Sequence, residues 1–559
     1  MPHRPQARPR GQPRHRAQTA RTVRVRAVRA RAARARTAAP RALARRPWPT
    51  RDRRTRTRTR RRLRREASAG RSLGAQAGGA LGWSFSNTLM AKLGSVAVGI
   101  VLARLLGPHE FGTFAVASVA LTIMTNVNDL GVSLAIVRWP GDPREIAPTV
   151  TTISVITSGV LYVACYFGAP GYSAAMGAPA ATEVVRVLSL VILIDGFATA
   201  PIGLLQRNFR ADHRTVADQV NVWLGMLLTL GLALGGFGAM SLAIGRVAGC
   251  LAAVGLLVHL SPEPLRFGFN RREARALLRF GLPLAGTGVI AFAIANVDQL
   301  VVGRMLGVTA LGFFVLAANL SSWPSAAFSE PISQVAPAAL ARLQHDPAAM
   351  RTSFETMLAL VSAVTVPVCL VESGSAAPLI RIVYGIHWLP AHQPLIWLAL
   401  LAALQIFFQL TLDYFAVLGR SRMLIALQTA WLVALVPSLI AGARVQGLAG
   451  VALAELAVAV VLPLPWYLVS LRRAGLRGRS LAVRLGLPLL GAAVAGAAAA
   501  GAAAVAPSAW LALPCGALAG LLVIGLLLLR MRSVLATLRR RFRGASPAEA
   551  EGLVAASSS

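Results

Sequence analysis

The sequence predicts an all-α polytopic membrane protein of about 14 transmembrane helices, built as two six-helix lobes plus an extra C-terminal helix pair. Hydrophobic residues make up 55% of the chain and charged residues only 14%, which is typical of membrane proteins. Apolar runs of about 20 residues recur along the chain, and a helix needs about that length to cross a bilayer. A motif near Arg104 recurs near Arg304 and divides these runs into two halves.

The first 71 residues differ from the rest, because they hold 26 of the 58 basic residues and two of the 21 acidic ones. No apolar period accompanies this charge, so we expect 1–71 to be a disordered Arg-rich tail. Three interpretations stay open: a contact with nucleic acid or anionic lipid, a solvated tail, or a misplaced start codon. The tail is left out of the predicted mechanism, and no nucleic-acid partner is predicted.

Fourteen apolar runs follow, and each is predicted to be a transmembrane helix. They lie at 82–106, 111–136, 148–168, 184–205, 216–236, 239–260, 277–306, 310–340, 354–373, 392–418, 422–442, 448–470, 482–505 and 509–529. The predicted parts are an N-lobe at 72–260, a cytoplasmic linker at 261–276, a C-lobe at 277–471, an extra helix pair at 472–530 and a cytoplasmic tail at 531–559.

The placement of arginine predicts the orientation. Alternate loops carry arginine clusters, whereas the loops between them hold only Arg381 and Arg444, with Arg304 at a helix edge. Because Arg-rich loops stay in the cytoplasm, we expect both termini to be cytoplasmic. The abundance of alanine, glycine and arginine, with a single lysine, favours a bacterial protein. The predicted location is therefore the bacterial cytoplasmic (inner) membrane.

The two halves share a motif. Residues 101–114 align without gaps to residues 301–314, and Arg, Leu, Gly, Gly and Phe coincide at 104/304, 106/306, 107/307, 112/312 and 114/314. Both copies end the first span of a six-span half and open the second. Six spans place both copies in the same orientation, as expected for repeats related by an axis along the membrane normal.

The sequence carries no sign of an enzyme or of a metal site. It has no GxxxxGK[ST] loop, no soluble domain large enough for an ATPase and no Ser/His/Asp grouping. Its four cysteines lie far apart without a CxxC or Cys/His cluster, so no metal site and no disulfide framework is predicted. We therefore predict no catalytic residues and no cofactor.

Polar groups inside apolar runs are the remaining candidates, since such groups mark substrate or ion pathways. Lys92 is the only lysine of the chain, and it lies near the centre of the first run on the same helix face as Thr88 and Ser95. The other candidate residues, in chain order, are Asn128, Asp129, Asn296, Asp298, Gln299, Asn319, Glu330 and Asp413.

Each candidate has a purely structural alternative. Asn and Gln inside spans often hydrogen-bond to neighbouring helices, for about 0.6 kcal/mol each. Asp129, Asp413 and Arg304 lie near the interface, where structural pairing is as good an interpretation. Lys92 and Asp298 either form an ion pair with each other, or Lys92 faces a cavity and attracts an anion such as a pyrophosphate.

The sequence resembles the polysaccharide flippases of the multidrug/oligosaccharidyl-lipid/polysaccharide (MOP) exporter superfamily. The matching pieces are LARLLGPHEFGTFAVA, NDLGVSLAIVR and NVDQLVVGRMLGVTALGFFVLA, within about residues 80–470. The resemblance implies a MATE/MOP-like fold whose two lobes alternate access to a central cavity, and a polyprenyl-pyrophosphate-linked glycan as the substrate.

The resemblance also implies roles for the candidate residues. Lys92, with Thr88, Ser95 and the Asn/Gln side chains, would bind the substrate. Asp298, Asp129, Glu330 and Asp413 would take part in coupling to an ion, H⁺ or Na⁺, or in gating. The lipid bilayer and a polysaccharide polymerase or export machinery are the implied partners, in lipopolysaccharide or exopolysaccharide export.

Two other functions stay open. A MATE-like ion-coupled drug or cation antiporter would present carboxylates to a cationic substrate, and the candidate residues include both signs of charge. A membrane scaffold that binds nucleic acid through the Arg-rich tail belongs to another class. Deletion of 1–71 separates the scaffold from the flippase, because only the flippase is expected to work without the tail.

Overall fold

The computed structural model describes residues 97–126, 128, 143–207, 211–261, 263–328, 340, 343, 346–476, 478–530 and 532. Several predictions concern residues outside this set: the Arg-rich tail, most of the first predicted span, the linker to the third span and the C-terminal tail. Among the candidate site residues, those outside it are Thr88, Lys92, Ser95, Asp129 and Glu330.

The described part of the chain is helical and contains no strand. We number the helices in chain order. They are α1 (97–126), α2 (Pro143–Ala175), α3 (Ala181–Arg207), α4 (Ala211–Leu234), α5 (Ala239–Leu260), α6 (Arg271–Leu306), α7 (Val308–Phe328), α8 (Pro347–Gly374), α9 (Ala376–Val383), α10 (His392–Val417), α11 (Ser421–Val461), α12 (Pro463–Arg473), α13 (Gly478–Val505) and α14 (Ala509–Arg530); a 3₁₀ turn, Ile386–Ala391, lies between α9 and α10.

The chain is a multi-pass membrane protein. Within the described residues, nine helical stretches are long and apolar enough to span a bilayer. The total of about 14 spans stays a prediction, because part of the chain lies outside the described residues.

Most predicted spans coincide with helices. The predicted run 239–260 has the same bounds as α5, and the run 392–418 differs from α10 by one residue. The run 277–306 begins six residues late, because α6 starts with a polar turn that hydropathy does not detect. The Asn270 side chain caps that turn by accepting a hydrogen bond from the backbone N–H of Arg272.

The eleventh and twelfth predicted spans correspond to the two arms of α11, which a sharp break separates, and the twelfth continues into α12. Gln446 and Gly447 have non-helical backbone angles, and Gly447 has a φ of +59°. A Cβ atom on Gly442 would lie 2.2 Å from the carbonyl oxygen of Gly450. The two arms therefore fold back and touch, as two antiparallel spans.

Two apolar clusters organise the packing. One lies in the first half and combines Val184, Leu188 and Val191 of α3 with Cys250 and Leu257 of α5. The other extends through α6 to α12 of the second half, and it also contains Ala103, Ala115, Val116, Met176, Ala178 and Ala181 of the first half. The second core is therefore shared by the two halves where they meet.

The C-terminal helices α13 and α14 pack on α8. A Cβ atom on Gly374 would lie 2.5 Å from the carbonyl oxygen of Gly496, so α8 and α13 are in backbone contact there. Toward the other end of these helices, the Arg484 guanidinium lies 3.1 Å from the Glu355 carboxylate, which also accepts a 2.8 Å hydrogen bond from Ser480. The contacts between α8 and α13 therefore extend along most of both helices.

Candidate functional site: the contact between the two repeats

The repeated motif adopts the same local structure in both halves. Gly107 interrupts α1 with a φ of +73°, and Gly307, between α6 and α7, has a φ of +86°. Side chains other than glycine rarely adopt this left-handed backbone. The matching glycines are therefore explained by matching turns.

The two repeats touch through backbone atoms directly after these turns. A Cβ atom on Gly112 would lie 2.0 Å from the carbonyl oxygen of Val308, and one on Gly312 would lie 2.3 Å from that of Pro108. His109 and Thr309 lie beside this contact, with the imidazole Nδ1 3.3 Å from the threonine hydroxyl. The contact is approximately symmetric, since each glycine faces the residue that follows the other repeat's turn.

Two equivalent arginines reach across this contact in opposite directions. Arg104 of the first half donates from Nε to the carbonyl of Val383 at 2.8 Å, and a second nitrogen donates to the carbonyl of Ile382. Arg304 of the second half donates to the carbonyl of Ala175 in the first. We call these bonds the arginine clamp. It joins the halves reciprocally, at the end of the bundle where the turns at Gly107 and Gly307 lie.

Trp388 fills the space beneath the clamp. It is 1% exposed, and its indole N–H donates a 2.9 Å hydrogen bond to the carbonyl of Ala103. The rings of Phe111 and Phe313, one from each repeat, meet it edge-on with centroid distances of 5.5 and 6.0 Å. Tyr384 lies beside it, and burial, followed by the nearby Glu372 charge, raises the pKa of this phenol to about 12. The tyrosine is therefore neutral at physiological pH.

The opposite end of the bundle has its own link between the halves. Thr149 of α2 donates a 2.9 Å hydrogen bond to the Glu273 carboxylate of α6, and the backbone N–H of Gly268 donates to Thr152. Leu277 of α6 is buried in a small cluster with Ile146 of α2. The linker before α6 is therefore fixed to the first half.

Asp298, a predicted coupling residue, is buried in the second half. It is 7% exposed, and its Oδ1 has no hydrogen-bond partner in the described part of the chain. Its charge interacts with that of Glu455 on the second arm of α11, which has an unpartnered buried oxygen, Oε2. Asp298 lies nine residues before Gly307 and Glu455 eight residues after Gly447. At 1.5 Å per residue, both carboxylates lie about 12–14 Å from the clamp end.

Asp413 belongs to a different region. It is 9% exposed and accepts a 3.4 Å hydrogen bond from Gln409. The helix α10 starts at the clamp end, directly after the turn that holds Trp388, and Asp413 lies near its far end. The structure therefore does not bring Asp413 together with Asp298.

The predicted polar lining residues are dispersed. Asn128 accepts a 2.9 Å hydrogen bond from Ser158 and so links two helices. Asn296 and Gln299 are partly buried on α6 beside Asp298, and Asn319 is exposed on α7. For Asn128 the observed contact is the hydrogen bond between helices that was the structural alternative to substrate binding. Substrate binding by these four residues stays a prediction.

Several charged residues inside apolar helices are not among the predicted site residues, and Asp195, Arg246 and Glu455 are three of them. Glu455 stands alone in the run AGVALAELAVAVV, and Arg246 stands alone in the run AMSLAIGRVAGCL. The rule that singled out Asp298, an ionisable residue at membrane depth, applies equally to both. In the described residues, no group of three or more His, Cys, Asp and Glu side chains is arranged to hold a metal ion.

Comparisons with known proteins agree on one family and one fold. The family model described as "Polysaccharide biosynthesis protein" matches residues 101–393. The succinoglycan biosynthesis transport protein ExoT of Rhizobium meliloti (strain 1021) is 25% identical over 314 residues, which cover 55% of this chain and 62% of that protein. The chain spans less than two thirds of the length of the curated relatives that it matches.

Solved structures show the same fold. The inward closed conformation of the lipid II flippase MurJ matches with a TM-score of 0.66 and 15% identity, over 80% of this chain and 99% of that one. An inward-facing multidrug resistance MATE family transporter of the MOP superfamily matches with a TM-score of 0.57 and 18% identity, over 69% of this chain and 94% of that one. At these identities the matches establish the MOP-like fold that the sequence predicted.

The hydrogen bond from Trp388 to Ala103 should stabilise the fold. We expect Trp388→Phe to lower the midpoint of thermal unfolding in detergent more than Trp431→Phe does. Both changes remove similar volume, but the Trp431 indole nitrogen has no partner in the described residues, whereas loss of Trp388 leaves the Ala103 carbonyl without its donor. An unpaired buried acceptor costs about 1–3 kcal/mol. Equal shifts for the two variants would show that this hydrogen bond does not stabilise the contact.

Proposed function

The chain belongs to the family of polysaccharide biosynthesis proteins, and from this premise we propose that it carries polyprenyl-pyrophosphate-linked oligosaccharide repeat units across the bacterial cytoplasmic membrane by alternating access. It acts as a transporter, not as an enzyme. The similarity to ExoT, which is named as a transport protein, and the fold shared with MurJ, which is named as a flippase, support this proposal.

The arginine clamp is the observation that carries the mechanism. Alternating access requires two rigid lobes that meet at one end and separate there in the other state. Here the halves meet through two arginines that bind backbone carbonyls and through two glycines that allow backbone contact. Each of these contacts is non-covalent, as is the hydrogen bond from Trp388 to Ala103, so rigid-body motion of the halves can break them together.

We assign the clamp end to the extracytoplasmic side. Loops rich in arginine stay in the cytoplasm, and the two ends of the bundle differ strongly in arginine. The clamp end carries five arginines: Arg104 and Arg304 of the clamp, and Arg186, Arg381 and Arg444. The opposite end carries Arg207, Arg266, Arg271, Arg272, Arg351, Arg420, Arg472, Arg473, Arg479 and Arg530. Both termini are then cytoplasmic, and the clamp closes the cavity against the outside.

The proposed substrate fits the chemistry of such a protein. A pyrophosphate group needs a cation where water is scarce, and Lys92 is the predicted cation of the first span. The polyprenyl tail remains in the lipid bilayer, where its transfer costs nothing. A polysaccharide polymerase or export machinery would take up the repeat units on the outer side, which makes it the proposed partner.

Asp298 and Glu455 are the proposed coupling site. Two carboxylates that interact within an apolar helix bundle repel each other when both are ionised, and each has an oxygen without a hydrogen-bond donor in the described residues. One H⁺ or one Na⁺ between them relieves both problems. An ion that enters this site in one state of the transporter and leaves it in the other would drive the cycle.

The antiporter of drugs or cations is the second candidate function. The same carboxylate pair would suit a cationic substrate, and the MATE transporter shares the fold. The family match and the polysaccharide names of the curated relatives favour the flippase.

Deletion of the gene separates the two functions. We expect the deletion strain to accumulate lipid-linked repeat units with unchanged drug resistance, because repeat units that are not flipped remain on their carrier. Wild-type protein and, in part, Lys92→Arg should restore export, whereas Lys92→Ala should insert normally and fail. Altered resistance to cationic drugs without accumulation of lipid-linked glycan would instead identify an antiporter. Full export by Lys92→Ala would remove the anion-binding role of this lysine.

The coupling site is tested by two isosteric changes. We expect Asp298→Asn and Glu455→Gln each to lower export at least about tenfold and to make the remaining export insensitive to the driving ion, because a neutral side chain cannot release a bound cation. Export should be followed with a protonophore and, separately, with Na⁺ replaced. The matched control is Glu183→Gln, which removes an exposed carboxylate paired with Arg186. Variants that respond to both treatments as the wild type does would place coupling elsewhere.

A further inference from the structure

Arg246 lies deep in an apolar helix of the first half. It is seven residues from the start of α5 at Ala239, which corresponds to about 10 Å along the helix axis. The only other basic residue of α5 is His259, in its last turn. A charge at such a depth is costly and is commonly retained because it faces a cavity or a partner.

The side of α5 on which Arg246 lies faces the protein and not the lipid. Cys250, Ala253 and Leu257, at four, seven and eleven residues beyond Arg246, share its face of the helix and are all buried. Leu251, on the opposite face, is 60% exposed. The inward face belongs to the core that α5 forms with α3.

Arg246 is nevertheless exposed, although it lies on this inward face. Its guanidinium has no hydrogen-bond or ion-pair partner among the described residues. Asp195 of α3 interacts with Arg246 electrostatically and accepts a 3.4 Å hydrogen bond from Cys250, one turn further along α5. The guanidinium therefore lies where the buried face of α5 gives way to exposed surface, and it is accessible to a ligand.

We propose that Arg246 binds an oxyanion of the transported molecule, with Asp195 as the residue that positions it. The proposal rests on the proposed function and adds to it a cation from the fifth helix, separate from Lys92. A guanidinium with five N–H donors suits the oxygens of a phosphate or a carboxylate. The same chemistry occurs in the diphosphate of the lipid carrier and in an acidic sugar of the repeat unit.

Two structural roles compete with this proposal, and charge changes separate them. If Arg246 only neutralises Asp195, Arg246→Gln should fail while Arg246→Gln/Asp195→Asn recovers export. If the side chain only extends toward the membrane surface, Arg246→Gln should export normally. We expect instead that both variants accumulate lipid-linked repeat units, and that Arg246→Lys keeps part of the export. Recovery by the double variant, or normal export by Arg246→Gln, would overturn the proposal.

A binding measurement on purified full-length protein identifies the oxyanion. The probes are a polyprenyl diphosphate, the polyprenol of the same length, and a glucuronate-containing oligosaccharide. We expect Arg246→Gln to weaken binding of the diphosphate or of the acidic oligosaccharide roughly ten- to hundredfold, as for loss of a hydrogen bond between charged groups. The probe whose affinity falls identifies whether Arg246 binds the diphosphate of the carrier or the acidic sugar of the repeat unit. Unchanged affinity for both anionic probes would overturn the proposal, whatever the variant does to export.

The control variant is Arg186→Gln. It removes another first-half arginine, one that is paired with Glu183 at the clamp end. We expect it to leave export and all three affinities unchanged. Accumulation of lipid-linked repeat units in the deletion strain tests the proposed function by itself. The two failures are therefore distinguishable. If the protein is a flippase but Arg246 does not bind the oxyanion, the deletion strain still accumulates lipid-linked repeat units; if it is not a flippase, the deletion strain does not.

Discussion

The backbone contact between the two repeats determines how the halves fit together. Gly112 and Gly312 leave no room for a Cβ atom, because each faces a carbonyl oxygen of the other repeat at less than a van der Waals distance. This close approach brings Arg104 and Arg304 within reach of carbonyls in the opposite half, and it places rings from both repeats around Trp388. The shared apolar cluster then forms beneath the same contact.

The charged groups inside the bundle are divided between the halves. The second half contains Asp298 and Glu455 at similar depth below the clamp, and the first half contains Arg246 with Asp195 near it. Separate sites for a cation and an anion suit a transporter that exchanges ion binding for substrate binding, because a single mixed site would neutralise itself. The clamp lies at one end of the bundle, above both sites. A movement of either half therefore alters the contact between the two repeats.

Much of the fold could be predicted from the sequence, since bilayer thickness fixes the length of each apolar run. The runs 239–260 and 392–418 match helices almost residue for residue. The repeat could be predicted too, because turns with positive φ require glycine at 107 and 307. The clamp partners could not, as Arg104 and Arg304 bind backbone carbonyls, which any residue supplies. The pairing of Asp298 with Glu455 depends on which helices are neighbours, and hydropathy carries no information about that.

Transport by alternating access requires the clamp end to open. This requirement is tested most directly by His109→Cys/Thr309→Cys in a Cys515→Ser background, since these two side chains lie 3.3 Å apart across the contact and Cys515 is the exposed native cysteine. Flipping of a lipid-linked oligosaccharide would be measured in proteoliposomes before oxidation, after oxidation and after reduction, with each single cysteine variant as a control. We expect the crosslink to stop flipping and reduction to restore it. Flipping at an unchanged rate by fully crosslinked protein would contradict this requirement.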